Sequence, residues 1–283
     1  MKILITGGNG QLAYDLKTLA QQKNYHVYAP DRYALDITEP DKVMQVITGF
    51  QPDVVINTAA YTLVDRAEEE MTSAFLVNRD GAQFVAEACQ AIQALLLHVS
   101  TDYVFSGDEN RPLNEQDAVA PLNLYGMSKW QGEEAVRLYC ERHIILRVSA
   151  VFGLHGHNFV KTILRLAKER DYLSIVDDQI TCPTSAFSIA ETLLALTNAA
   201  TFGTFHYCGN EAMSWYDFAN KILEFGSNQT PIRPLRSADY FTLAKRPRYS
   251  VLDCQKILNT FGIKRPNWEL DLQQVIHGLL VNA

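Results

Sequence analysis

The apolar run Lys2–Thr6, which ends in Gly7-Gly8-Asn9-Gly10 and opens into Gln11–Lys23, constrains the fold of this chain more than any other segment. A short apolar run, then glycines, then helical periodicity predicts a buried strand, a tight turn and a helix. In the spacing Gly7-x-x-Gly10-x-x-Ala13 the glycines let the backbone turn sharply and approach a pyrophosphate. The helix N-terminus then supplies N–H donors and a favourable dipole. Ala13 stands at a position that asks only for a small residue, and Gln11 and Leu12 begin the helix beside the expected phosphates. Glycine spacing alone is a weak signal; the strand–turn–helix setting gives it weight.

The same rhythm continues. Strands are expected at His26–Ala29, Val54–Asn57, Leu95–Ser100 and His143–Val148. Between them, helices are expected at Asp41–Phe50, at Ser73–Gln90 and over the segment from Tyr125 to about Cys140. Alternating strands and helices predict an α/β, Rossmann-like, doubly wound parallel sheet. Beyond Phe152 the loops lengthen and carry more Gly, His, Asp and Pro, while Gly203–Cys208 reads as one more strand. We therefore expect a dinucleotide-binding domain over 1–150, rejoined by a helix and strand at about 185–208. A smaller C-terminal substrate lobe would comprise 151–184 and 209–283. Asp31 follows the second strand, where an acid can bind a ribose 2′-hydroxyl, and Arg32 beside it could instead accept a 2′-phosphate. Both NADH and NADPH stay open on these residues. Asp36 and Ile37 are expected near the adenine.

Of the 283 residues, 25 are Lys or Arg and 32 Asp or Glu, a formal charge of −7. That balance argues against nucleic acid as a partner. Cys89, Cys140, Cys182, Cys208 and Cys254 are scattered and contain no C-x-x-C, which fits reduced thiols in a cytoplasmic protein. The opening strand does not read as a secretory signal, and no apolar run has the ~20 residues of a membrane helix.

Tyr125 and Lys129 are four residues apart, on one face of a helix. A free phenol has a pKa near ~10, and a nearby ammonium lowers it, so such a pair can exchange a proton with an alcohol or ketone oxygen. Thr101, at the end of a strand, could hydrogen-bond the same oxygen beside a nicotinamide.

The surrounding text is more specific. Asn57-Thr58-Ala59-Ala60-Tyr61-Thr62, Val64-Asp65, Ala67-Glu68, Val77-Asn78 and Gly81 precede Ser100-Thr101-Asp102-Tyr103-Val104-Phe105. Tyr125-Gly126-Met127-Ser128-Lys129, Gly132-Glu133, Leu146-Arg147, Asp178-Gln179 with Pro183-Thr184, and Ser214–Ala219 follow. In this order the series resembles the dTDP-4-dehydrorhamnose reductase family of extended short-chain dehydrogenases/reductases, over nearly the whole chain.

The resemblance implies an NAD(P)H-dependent reductase of a dTDP-linked 4-keto-6-deoxy sugar, converting dTDP-4-dehydro-L-rhamnose to dTDP-L-rhamnose. It gives Tyr125 the proton, Lys129 the nicotinamide ribose, and Thr101 the substrate carbonyl. It places Ala59, Ala60, Tyr61 and Asn78 on the cofactor side, and Asp102, Tyr103, Asn158 and Arg246 on the substrate side. A homodimer and Mg2+ are implied as well, although no spacing in this chain reads as a metal site. Tyr103 stands where related dehydratases carry a glutamate, which disfavours water elimination.

Ala150, Phe152, Thr181, Ser185 and Tyr249 depart from the family text, and all five are expected around the sugar and its nucleotide. Thr181 replaces a glycine, so its loop is expected to have moved if the backbone there is left-handed. Simple roles are assigned elsewhere: a solvated helix face for Glu68-Glu69-Glu70, core packing for Trp215, Tyr216 and Phe218, and no metal for His155 and His157. An epimerase or another keto-sugar reductase of the same fold is an alternative. A non-catalytic, NADP-binding regulatory subunit is a third reading, disfavoured by the complete Thr101, Tyr125 and Lys129 set.

Overall fold

The structure is a computed structural model and describes residues 1–281. Its strands in chain order are β1 (Lys2–Thr6), β2 (His26–Tyr28), β3 (Val54–Asn57), β4 (Leu95–Thr101), β5 (His143–Val148) and β6 (Val151–Phe152). Then come β7 (Leu173–Val176), β8 (Ile180–Thr181), β9 (Thr184–Ser185), β10 (Gly203–Tyr207), β11 (Met213–Ser214) and β12 (Ile232–Leu235). The helices are α1 (Gln11–Gln22), α2 (Pro40–Phe50), α3 (Val64–Ala67), α4 (Met71–Phe75), α5 (Gly81–Ile92) and α6 (Leu124–Tyr139). The chain closes with α7 (Phe159–Glu169), α8 (Ala186–Ala195), α9 (Trp215–Phe225), α10 (Gln255–Phe261) and α11 (Trp268–Val281).

Six strands form one parallel sheet in the order β10-β5-β4-β3-β1-β2. Side chains alternate across a strand, so each strand feeds two cores. Ile3, Ile5, Val54, Ile56, Leu95, Leu97, Ile144 and Leu146 pack on one face. Leu4, Val55, Leu96 and Ile145 pack on the other, against α2, α5 and α6. Both faces are buried, which is why these strands are nearly continuous apolar runs. The order of the strands reverses between β1 and β3, and such a switch leaves a crevice at the carboxyl ends of the strands.

A third core holds the later part of the chain. Phe152, Val160, Ile163, Phe218, Ile222, Trp268, Leu272 and Ile276 pack together there. Phe218 stacks on Phe159 at 5.7 Å and meets Trp268 edge-on at 5.9 Å. The pairs β7–β12, β8–β11 and β6–β9 surround this core as short two-stranded ladders.

The segment expected as one helix over Ser73–Gln90 consists of α4, a single π-helical turn at Leu76–Asp80, and α5. Helical periodicity runs on through such a turn, so hydrophobic spacing does not reveal it. Phe152 and Ser185, expected around the sugar, are 0 % and 1 % exposed. Phe152 packs against Phe218, and Ser185 caps α8. Thr181 lies in β8 with an ordinary extended backbone, paired with Met213, so the glycine expected there is not required by φ.

Candidate active site

The glycine turn sits at the crevice. Gly7 has φ +68°, and a Cβ on Gly8 would stand 2.2 Å from the Ala29 carbonyl oxygen, so neither accepts a side chain without movement. No side chain caps α1 at Gly10, which leaves first-turn amides, including those of Gln11 and Leu12, facing the crevice for an anion. These features fit a dinucleotide pyrophosphate. Gly8 was the residue of the turn that glycine spacing alone did not single out. Its signal was the direct Gly7-Gly8 doublet.

Asp31 accepts a hydrogen bond from the Ala34 amide, and Arg32 pairs with Asp36 at 3.1 Å while remaining largely in solvent. Asp36 also accepts from the Thr38 amide and hydroxyl. Ile37 is buried in the core beside Leu35, so the side chain expected at the adenine offers little surface to it.

Asn78, on the π-helical turn, is the clasp of the cofactor side. Its Oδ1 accepts from the Tyr61 amide at 2.8 Å, and its Nδ2 donates to the Tyr61 carbonyl at 3.0 Å and to Ser128 Oγ at 2.9 Å. One buried amide thus fixes the loop Ala59-Ala60-Tyr61 after β3 to helix α6. The acidic run expected as a solvated face has a similar job. Glu68 accepts from the Leu124 amide at the start of α6, and Glu70 accepts from the Tyr61 hydroxyl at 2.7 Å. Leu124 lies far from Glu68 along the chain, so the run alone gives no sign of that contact.

Helix α6 begins at Asn123, whose side chain caps the Gly126 amide at 2.7 Å. At Gly126 a Cβ would lie 2.2 Å from the Tyr103 carbonyl oxygen, so a glycine there lets the helix lie directly against the end of β4. This contact brings Tyr125 to Thr101. Thr101 stands beside the Tyr125 phenol, and the Tyr103 and Tyr125 rings meet edge-on at 6.0 Å. Lys129 Nζ donates to the Val99 carbonyl at 2.8 Å.

The charge states differ from the simple expectation. Burial pushes the Tyr125 phenol up to about 12. Lys129 is not among the groups that shift it, so the lowering expected from the ammonium is not seen. Burial brings the Lys129 ammonium down to about 8, opposed by Glu133. At neutral pH Tyr125 therefore holds its proton and Lys129 is mostly charged, a pairing suited to donating a proton rather than removing one.

Tyr125, Lys129, Glu133 and Arg137 follow one another at four-residue steps along α6. Behind Lys129, Glu133 pairs with Arg147 through two bonds of 2.8 and 2.7 Å. It also accepts from Ser100 at 2.6 Å and Arg137 at 2.8 Å. Burial opposes the charge on Glu133, but Arg147, Arg137 and Ser100 outweigh it and hold the carboxyl down at about 2. Ser100 therefore points away from the cleft while its neighbour Thr101 points into it.

On the substrate side the expected residues are engaged with the protein itself. Asp102 is 3 % exposed and accepts from Thr101 and Ser149, each at 3.0 Å. Arg246 grips Asp65 through both terminal nitrogens, at 3.1 and 2.6 Å, instead of an open anion site. Its guanidinium also reaches Tyr103. Asn158 caps α7 and donates to Gln11 Oε1 at 2.6 Å, joining the later lobe to the start of α1. His155 lies on the Tyr14 ring at 3.4 Å between centroids. Among the described residues no three His, Cys, Asp or Glu side chains stand together as a metal site, and nothing in this chain supports the Mg2+ implied by the resemblance.

A doubly wound sheet with a bare glycine turn at its switch point, and with Thr101, Tyr125 and Lys129 at the end of β4 and on α6, defines a dinucleotide-binding oxidoreductase scaffold. Residues 1–281 match the family described as RmlD substrate binding domain, and the chain belongs to that family. A dTDP-4-dehydrorhamnose reductase of Aggregatibacter actinomycetemcomitans is 43% identical, covering 97% of this chain and 98% of its own. The crystal structure of a dTDP-4-dehydrorhamnose reductase from Clostridium acetobutylicum superposes with a TM-score of 0.95 at 37% identity, covering 100% of both chains. The Bacillus anthracis enzyme of the same name, solved in complex with NADP, gives a TM-score of 0.93 at 36% identity over 100% of this chain and 99% of that one.

Proposed function

We propose that the protein reduces the 4-keto group of dTDP-4-dehydro-L-rhamnose to give dTDP-L-rhamnose, using NADPH or NADH. One observation carries the reading: Thr101, Tyr125 and Lys129 converge at the carboxyl end of β4, beside a turn built to accept a pyrophosphate. Full-length relatives named dTDP-4-dehydrorhamnose reductase support it. When bound, the nicotinamide supplies hydride to C4 of the hexose.

The chain's own residues supply the rest. Gly7, Gly10, Gln11 and Leu12 hold the pyrophosphate, Asp31, Arg32 and Asp36 border the adenosine with Ile37 packed in the core behind them, and Ala59, Ala60, Tyr61 and Asn78 form the inner wall. Lys129 holds the nicotinamide ribose. Thr101 orients the ketone oxygen, and Tyr125 gives its phenolic proton to that oxygen as it gains charge. Asp102, Tyr103, Asn158 and Arg246 shape the sugar-nucleotide side, Asp102 and Asn158 by holding other residues in place. The five cysteines are free and buried, which supports work in a reducing, cytoplasmic setting. The family resemblance supports a homodimer.

Purified protein mixed with NADPH, and separately with NADH, should lose the absorbance of the reduced nicotinamide only when dTDP-4-dehydro-L-rhamnose is added. A bound cofactor with no net oxidation would replace this reading with an epimerase or a regulatory subunit.

A further inference from the structure

Thr181 stands where the family text has a glycine, and its hydroxyl is built into the catalytic side of the cleft. Ser149 Oγ donates to Asp102 Oδ2 at 3.0 Å, and Thr101 Oγ1 donates to Asp102 Oδ1 at 3.0 Å. Ser149 Oγ and Thr181 Oγ1 are 2.7 Å apart. A hydroxyl has one hydrogen to give. Ser149 has given its own to Asp102, so Thr181 must be the donor to Ser149. The direction of the chain is therefore fixed: Thr181 to Ser149 to Asp102, with Thr101 arriving from the other side.

All four residues are buried, between 0 % and 7 % exposed. Their geometry is held by the fold. Thr181 sits in β8, paired with β11. Ser149 follows β5, just before Ala150, whose φ is +43°. A glycine at 181 would leave Ser149 without this donor, and its hydroxyl would be free to turn from the carboxylate.

We propose that Thr181 is a positioning residue of this active site, whose hydroxyl locks Ser149 onto Asp102 so that the carboxylate is held from behind and the Thr101 hydroxyl can turn to the substrate oxygen. Thr101 gives its hydrogen to Asp102. When a ketone oxygen enters, that hydrogen is needed there. Asp102 can release it at low cost only if other donors still satisfy the carboxylate, because an under-satisfied buried charge is expensive. Ser149, backed by Thr181, and Ser250 are those donors. The proposal rests on the reading of Thr101 as the group that binds the carbonyl.

The test uses Thr181→Val, which keeps the β-branched shape and removes the hydroxyl, and Thr181→Ser, which restores it. Two readouts are taken on each. The first is kcat and KM for the keto sugar. The second is the titration of Asp102 in protein labelled with carbon-13 at aspartate carboxyls, assigned by Asp102→Asn. The titratable and charged groups around that carboxyl are Tyr103, Tyr125 and Cys182, with Arg246 beyond Tyr103, and none is altered by either variant.

Thr181→Val should lower kcat about 5-fold with KM nearly unchanged, the scale of one neutral hydrogen bond. It should also move the Asp102 titration upward, since the charged form loses support. Thr181→Ser should restore both. An unmoved Asp102 titration in Thr181→Val overturns the proposal, whatever the rate does. Failure of the serine variant to restore kcat also overturns it. Wild-type protein that turns over no keto sugar would instead defeat the proposed function, while the Asp102 titration would still decide whether the chain exists.

Discussion

Tyr125 and Lys129 owe their charge states to the depth at which α6 holds them. Spacing places a phenol and an ammonium on one helical face; it says nothing of how deeply each is buried. Burial decides the outcome here, raising Tyr125 to about 12 and lowering Lys129 to about 8. Tyr125→Phe should therefore cut turnover by roughly 10²–10⁴-fold, the usual contribution of a positioned acid, while NADPH affinity measured by fluorescence stays within a few-fold. For Lys129 the sign follows from its charged form being the useful one. kcat/KM for the cofactor should hold up to about pH 8 and decline above it as the ammonium loses its proton. Lys129→Arg, which keeps its charge, should move that limb upward; an unmoved limb would assign the ionisation to another group. Asp102, Asn158 and Arg246 were found as motif residues, yet their partners Ser149, Gln11 and Asp65 were not legible, because a sequence motif does not state which way a side chain points.

The parallel strands were legible because both faces are buried and the runs are apolar throughout. Helix α6 was legible from the spacing of its residues, but its role in bringing Tyr125 to β4 depends on contacts that only the folded chain reveals. The same holds for its buried charge cluster. Glu133 and Arg147 are 0 % and 2 % exposed side chains that satisfy each other, and removing one partner would leave the other unpaired. Arg147→Met should cost about 3–5 kcal/mol in denaturant unfolding, and Glu133→Leu combined with Arg147→Met should recover much of that loss. Acid should act on the same cluster. The Glu133 contribution is fully present above its unfolded value of ~4.3 and is lost as pH falls through the folded value of about 2. An Arg147→Met variant as stable as the parent would mean that the pair is incidental to the helix.

Seen whole, the chain places its chemistry at the carboxyl ends of the parallel strands and packs its later residues into a core apart from the two that flank the sheet. The alternation of strands and helices made that sheet predictable. The return of β10 to β5 was legible as one more strand but not as to which edge it joins. The later core was not legible in this sense, since its short ladders and long loops carry little periodic signal. Asn158 to Gln11 and Arg246 to Asp65 tie the later residues to the nucleotide-binding sheet at two distant points.

The most direct measurement of the proposed reduction follows the hydrogen itself. The protein would be given dTDP-4-dehydro-L-rhamnose with NADPH dideuterated at C4 of the nicotinamide, and the sugar product examined by mass spectrometry and proton NMR. Our account predicts one deuterium per product, located on C4 of the hexose, with an equal amount of oxidised cofactor. Sugar consumed without deuterium at C4, or a nicotinamide that stays reduced, would contradict it.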